Sequence, residues 1–254
     1  MKKQRLLFFD FVTHFGGAQR STVLLLQHLS RSWDVQVVDA YGVCSDYVQA
    51  LRQARLNVKI LQTDAVRCHI GHGNRPIRRA LSLAGQIPQL LQLCRQLCTC
   101  LAQGQPDVVL TNSYKALALL FLGGGTQRHR IAYYARGWYR KHENPCVARW
   151  PIKRSHCVLA VSQATAEALA QWDVAPGRIH VVPTIIDEDG VYEDSQAPVD
   201  ERPPGMDAEI KILLPAQLVR TKGQMTAIEA ARLLREQGLD FVMAVMTSPL
   251  TVTV

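Results

Sequence analysis

The run Arg5-Leu6-Leu7-Phe8-Phe9-Asp10-Phe11 is apolar at successive positions, so a strand built from it carries apolar side chains on both faces. A glycine pair, Gly16-Gly17, follows. Ala18 to Leu29 then sets Val23, Leu26 and Leu29 at helical spacing, with Leu24 and Leu25 widening the stripe. A strand that is apolar on both sides needs cover on both sides. Strand, glycine loop and amphipathic helix in that order form the unit of a doubly wound parallel α/β sheet.

The same pattern repeats along the chain. Val35 to Ala40, Val58 to Leu61, Asp107 to Thr111, Arg130 to Tyr134, Cys157 to Ser162 and Ile179 to Val182 are predicted strands. Helices are expected over Ser45 to Arg55 and over Arg75 to Leu101, the latter kinked or divided by Pro88. Another carries Ala166 to Trp172, with Ser162 as its cap. Gly123-Gly124-Gly125 reads as a helix end and turn. From Asp187 to Ala208 the chain is rich in Asp, Glu, Pro and Gly, the composition of a linker. Ile210 to Leu214, Gln224 to Gln237 and Phe241 to Val245 then form one further β-α-β unit, too small to bury both faces of its strands. The expected organisation is a Rossmann-like domain over 1–186, a linker over 187–208 and the opening part of a second Rossmann-like domain over 209–254.

Composition narrows the function. Apolar residues make up 48% of the 254, enough for a substantial core, and no apolar run approaches the roughly 18 residues of a membrane span. Leu6 to Phe9 is too short for a signal peptide, so a cytoplasmic chain is expected. The odd count of seven cysteines, with no histidine at zinc-finger spacing after Cys94, Cys98 and Cys100, points to reduced, buried thiols. The net charge of +8 is unevenly held: residues 1–160 carry 22 Lys and Arg against 7 Asp and Glu, and residues 161–254 carry 7 against 14. A cationic first part suits a phosphorylated acceptor or an anionic membrane surface. Nucleic acid is not expected, because aromatics interleave with the basic residues only around Tyr133 to Lys141. Arg75, Arg78 and Arg79, with Leu81, Leu90, Leu91 and Leu97, could lie on a membrane or belong to a crossover helix.

Several residues are candidates for binding. In Ile210 to Thr226, a strand, a Lys222-Gly223 turn and a helix start aim a lysine and free N–H groups at one point, which suits a phosphate. Gly16-Gly17 is either a structural turn or a close approach to a ligand; it matches neither the dinucleotide fingerprint nor a Walker loop. Arg136, Trp138 and His142 fall at a strand end, as a solvated basic loop or as contacts for an anionic or sugar-bearing acceptor. Asp10 and His14 follow the first strand and are the candidate acid and base. No catalytic triad, metal cluster or carboxylate pair stands out by spacing. Catalysis would rest on electrostatic stabilisation of a leaving group.

Phe15-Gly16-Gly17-Ala18-Gln19-Arg20, then Val158 to Thr165 leading to Arg178 to Asp187, and Ala216-Gln217-Leu218-Val219-Arg220-Thr221-Lys222-Gly223 occur in that order along the chain. Together these three segments resemble the retaining GT-B glycosyltransferases of group 1. The resemblance implies a nucleotide-diphosphate sugar bound between two Rossmann-like domains, with the acceptor on the N-terminal one. Gly16, Gly17, Arg220 and Lys222 would bind the donor, and His14, Arg136 and Trp138 an anionic, lipid-linked or polysaccharide acceptor. Neither metal nor cofactor is implied, and no catalytic residue is assigned. Peripheral contact with the inner face of the membrane fits the same reading.

The chain departs from the family at Gln217, where an arginine is usual, and at Thr184 and Ile185, where asparagine and glycine are usual. The glutamate-rich donor motif would lie past Val254, so a truncated and largely inactive enzyme is expected. The alternative is a non-catalytic module that binds acceptor or anionic membrane.

Overall fold

The computed structural model describes residues 3–62, 86–123, 129–137, 139, 146–186, 210–216, 222–247 and 250–253. The chain divides into two compact units, Met1–Asp187 and Glu188–Val254. Arg75, Arg78, Arg79, Leu81 and the 187–208 linker lie outside the described residues.

The first unit is built on seven parallel strands: β1 (Arg5–Asp10), β2 (Asp34–Asp39), β3 (Asn57–Ile60), β4 (Val108–Thr111), β5 (Arg130–Ala135), β6 (Cys157–Ala160) and β7 (Ile179–Val181). Their order in the sheet is β3-β2-β1-β4-β5-β6-β7. Helices α1 (Gly17–Leu29) and α2 (Ser45–Gln53) cover one face. The other face is covered by α3 (Ile87–Gly104), α4 (Tyr114–Leu122), α5 (Cys146–Arg154) and α6 (Gln163–Ala170). Right-handed crossovers that reverse direction across the sheet require this division. β1 carries the consequence residue by residue. Leu7 and Phe9 join Leu93, Leu97, Leu117 and Leu120 on the second face. Leu6 and Phe8 join Val23, Leu26, Tyr47 and Leu51 on the first. Burying each phenylalanine contributes about 2–3 kcal/mol.

Local signals set the helix ends. Ser162 caps α6 as expected, its Oγ accepting from the Thr165 N–H at 3.2 Å. Pro88 is the second residue of α3, within the turn whose N–H groups lack intrahelical partners anyway, and the part of the expected helix before residue 86 lies outside the described residues. Gly123 ends α4 without a left-handed φ, and crowding explains the glycine there, since a Cβ would meet Cys98 Sγ and Leu119 O at 3.2 Å. α5 was not expected, because its nine residues contain Pro151. Burial of Ala148 and Ile152 holds it in place.

In the second unit β8 (Ile210–Pro215) pairs in parallel with β9 (Phe241–Thr247), and β10 (Leu250–Thr253) pairs with β9 in antiparallel fashion. Phe241, Met243 and Val245 pack with Ile228, Ala231 and Leu234 of α7 (Gln224–Glu236). β10 extends the anticipated β-α-β unit. Its alternating Thr251-Val252-Thr253 favours a strand.

Gly42 follows β2 at φ +62°, and a Cβ there would lie 2.6 Å from Ile60 Cδ1. Gly42→Ala is therefore expected to destabilise the chain by about 1–3 kcal/mol, combining left-handed strain with overpacking. A urea midpoint equal to that of the wild type would refute this.

Candidate functional site

The chain leaves β1 toward β2 and leaves β4 toward β5, although β1 and β4 are neighbours. Loops that diverge in this way open a crevice at the carboxyl ends of the strands. A cavity of about 350 Å³ lies there, lined by Asp10, Phe11, Gln19, Asn112, Arg136 and Tyr139, among others. Asp10 ends β1, Asn112 follows β4, and Arg136 follows β5. Gln19 belongs to the first turn of α1.

Asp10 is the chemically notable group. It is 5% exposed, and burial pushes its carboxyl up to about 7. The Phe11 N–H opposes that shift, donating to Asp10 Oδ1 at 2.7 Å, and so do Asn112 and Arg136; the charge of Asp39 reinforces it. Asp39 lies opposite Asp10 in the β1–β2 register and is also raised, chiefly by burial. Asp39 Oδ2 and Tyr47 Oη are buried without a hydrogen-bond partner. Across the cavity, the Tyr133 and Tyr139 hydroxyls are 2.9 Å apart, and burial raises both phenols.

Arg136 borders the cavity, but its guanidinium is engaged by α1. It donates to Ala18 O at 2.6 Å, to Thr22 Oγ1 at 2.8 Å and to Ser21 Oγ. It also lies over the Tyr134 ring at 4.9 Å, and Tyr134 Oη donates to Val182 O at 3.1 Å. Arg136 thus ties the start of α1 to the end of β5. Asn112 Nδ2 adds a second tie, to Thr22 Oγ1 at 3.3 Å. The guanidinium pKa is lowered by burial.

Of the other expected site residues, Gly16 is the N-cap of α1 and Gly17 its first residue. The Gly16 N–H donates to Gln19 Oε1 at 3.1 Å, and a Cβ at Gly17 would meet nothing within 4 Å. The space over Gly17 is open. His14 is exposed in the loop after β1 and does not line the cavity. Trp138, His142 and Arg220 lie outside the described residues. In the second unit Lys222 is exposed just before α7, whose N-cap Gly223 has φ +77°. Sequence reasoning did not single out Asn112, Gln19, Tyr133 or Tyr139. For Asn112 a signal existed in the polar trio Thr111-Asn112-Ser113 at the end of an apolar strand.

The raised Asp10 predicts how stability varies with pH. Between its ordinary 3.8 and about 7, the folded chain keeps a proton that the unfolded chain has lost. The stabilisation is full below that window and disappears as pH rises through it. Urea midpoints should therefore fall between about pH 5 and pH 8 less steeply in Asp10→Asn than in the wild type. Asp39, shifted in the same direction, leaves a residual slope. Identical slopes would contradict the assignment.

The fold has relatives of known structure. HepE of Anabaena, solved with UDP-glucose, is 17% identical and superposes with a TM-score of 0.62 over 89% of this chain and 57% of its own. A glycosyltransferase of Rickettsia africae gives 0.60 at 15% identity, over 96% of this chain and 60% of its own. UGT89C1 of Arabidopsis thaliana, solved with UDP-L-rhamnose, also gives 0.60 at 15% identity, over 97% of this chain and 69% of its own. The chain thus spans 57% of the length of HepE. A comparison with curated proteins gives no significant match. The sequence profile of glycosyltransferase family 4 matches residues 15–189, from the loop before α1 to just past the last strand of the first sheet, and the chain belongs to that family.

Proposed function

We propose that the protein serves glycosyl transfer from a nucleotide-diphosphate sugar to a hydroxyl-bearing acceptor, and that the cavity beside Asp10 holds the acceptor. The observation that carries this reading is the cavity's position at the switch point of a sheet assigned to glycosyltransferase family 4. Its lining is rich in groups that bind hydroxyls: a carboxyl at Asp10, amides at Gln19 and Asn112, and phenols at Tyr133 and Tyr139. Asp10 orients the attacking hydroxyl by accepting its hydrogen bond. The acceptor oxygen then bonds to the anomeric carbon as the bond to the diphosphate breaks. The family resemblance in the sequence favours retention of configuration, with the proton leaving on the diphosphate.

Donor binding is proposed for each unit separately. Gly17 opens α1, where uncrowded backbone can approach a phosphate, and Lys222 supplies a cation just before α7. Arg220 is the second cation in this reading. His14 and Trp138 remain proposed acceptor contacts. Arg136 contributes by holding α1 in position.

Titration calorimetry with UDP- and GDP-sugars tests the donor assignment. Saturable binding is expected, and Lys222→Ala should weaken it by about tenfold or more through loss of a charge-assisted contact. Equal affinity in the variant would remove Lys222 from the site. For the acceptor, saturation-transfer NMR with free monosaccharides should show contact that Asp10→Asn diminishes. If the signal is indifferent to Asp10, the acceptor lies elsewhere.

A further inference from the structure

The helices on the two faces of the first sheet differ in what they present to solvent. Among the described residues α1 and α2 expose no large apolar side chain, whereas α3, α4 and α5 expose Ile87, Leu91, Leu122 and Trp150. Leu122 is 74% exposed and Leu91 55%. These side chains form a line. Ile87 and Leu91 stand one turn apart on α3, and the stripe continues through half-buried Cys94 to Cys98. Cys98 Sγ donates to the Gly123 carbonyl at 2.8 Å, which brings the stripe to the end of α4 beside Leu122. Phe121 then meets Trp150 edge-on, with ring centroids 5.5 Å apart. The line crosses three helices.

Its charge has one sign. α3, α4 and α5 contain no Asp or Glu, and they carry Arg95, Lys115, Arg149, Lys153 and Arg154. The Arg154 guanidinium lies over the exposed Trp150 ring at 4.8 Å. Lys153 is paired with Asp173 at 3.2 Å, so its charge counts for less.

We infer that this face docks on an anionic lipid bilayer. Ile87, Leu91, Leu122 and Trp150 enter the headgroup layer, and Arg95 and Arg154 meet lipid phosphates. A tryptophan with a cation beside it suits the interfacial layer, where one part of the pair is apolar and the other wet. The aliphatic members count against nucleic acid, whose bases stack on aromatic rings. The missing carboxylates leave nothing on these helices to repel anionic headgroups. No helix among the described residues is long and apolar enough to cross a membrane, so the contact is peripheral. The inference gives a location to the membrane contact expected from charge, and it requires no step of glycosyl transfer.

Co-sedimentation of the full chain with extruded vesicles tests it, with neither donor nor acceptor present. Binding is expected to phosphatidylcholine mixed with phosphatidylglycerol and not to phosphatidylcholine alone. The pairs Leu91→Glu with Leu122→Glu, and Arg95→Glu with Arg154→Glu, should each weaken binding by about tenfold or more. Vesicles should shift tryptophan emission to the blue in the wild type, and less in Trp150→Phe. All the substituted side chains are exposed; if a pair nevertheless fails to fold, Leu122→Gln alone serves the same purpose. Binding that ignores lipid charge, or that survives the leucine changes undiminished, would overturn the inference. So would self-association through Leu122 without any vesicle binding.

Discussion

β1 and β4 lie side by side, yet the chain departs from them in opposite directions, and the first unit is organised around that divergence. Because α1 turns back over one face and α4 over the other, no connection fills the space above the two strand ends. Residues that would be covered elsewhere along the edge line a cavity instead. The same reversal makes both faces of β1 interior, so this strand needs apolar side chains at successive positions. Its last residue, Asp10, is the polar exception among the buried ones, and it lines the cavity.

A carboxyl in that place is expensive to keep. Burial raises Asp10 to about 7, and Asp39 beside it adds repulsion that the Phe11 N–H, Asn112 and Arg136 only partly offset. A core position chosen for stability alone would carry an apolar or neutral residue there. A carboxyl kept in a cavity despite its desolvation fits the role proposed for Asp10. Asp39 and Tyr47 strengthen the point in a different way: their unpartnered oxygens keep the region behind Asp10 polar without lowering its pKa.

What the sequence disclosed depended on the range over which each signal acts. Burial of β1 on both faces, the Ser162 cap and the parallel sheet with helices on both faces follow from short-range patterns, and all are present. Pro88 sits in the first turn of α3, which begins at Ile87, a place where proline is acceptable. α5 gave no usable signal, since Pro151 argues locally against helix while the burial of Ile152 that overrides it is tertiary. Arg136 was legible as a cation at a strand end, but its partners on α1 are 114 to 118 residues away in sequence. No spacing rule reaches that far. Tyr133 and Tyr139 are near in sequence, but they span a strand end and the loop after it, where no periodic pattern pairs residues; only the fold brings their hydroxyls together.

The commitment of Arg136 to α1 bears on what the cationic excess of the first 160 residues is for. Were those charges gathered to bind a charged acceptor, the arginine that borders the cavity would have its guanidinium facing it. Instead Arg136 is occupied by Ser21, Thr22 and the Ala18 carbonyl, and the other polar side chains of the lining are carboxyl, amide, hydroxyl and phenol, which can hydrogen-bond neutral hydroxyls. Two cations without such commitments, Arg95 and Arg154, lie on helices that cover the sheet and share their surface with exposed apolar side chains. On the two proposals, recognition of the acceptor and attraction to an anionic surface fall to different parts of the unit. One region would then meet a charged surface while the cavity takes a hydroxyl that carries no charge.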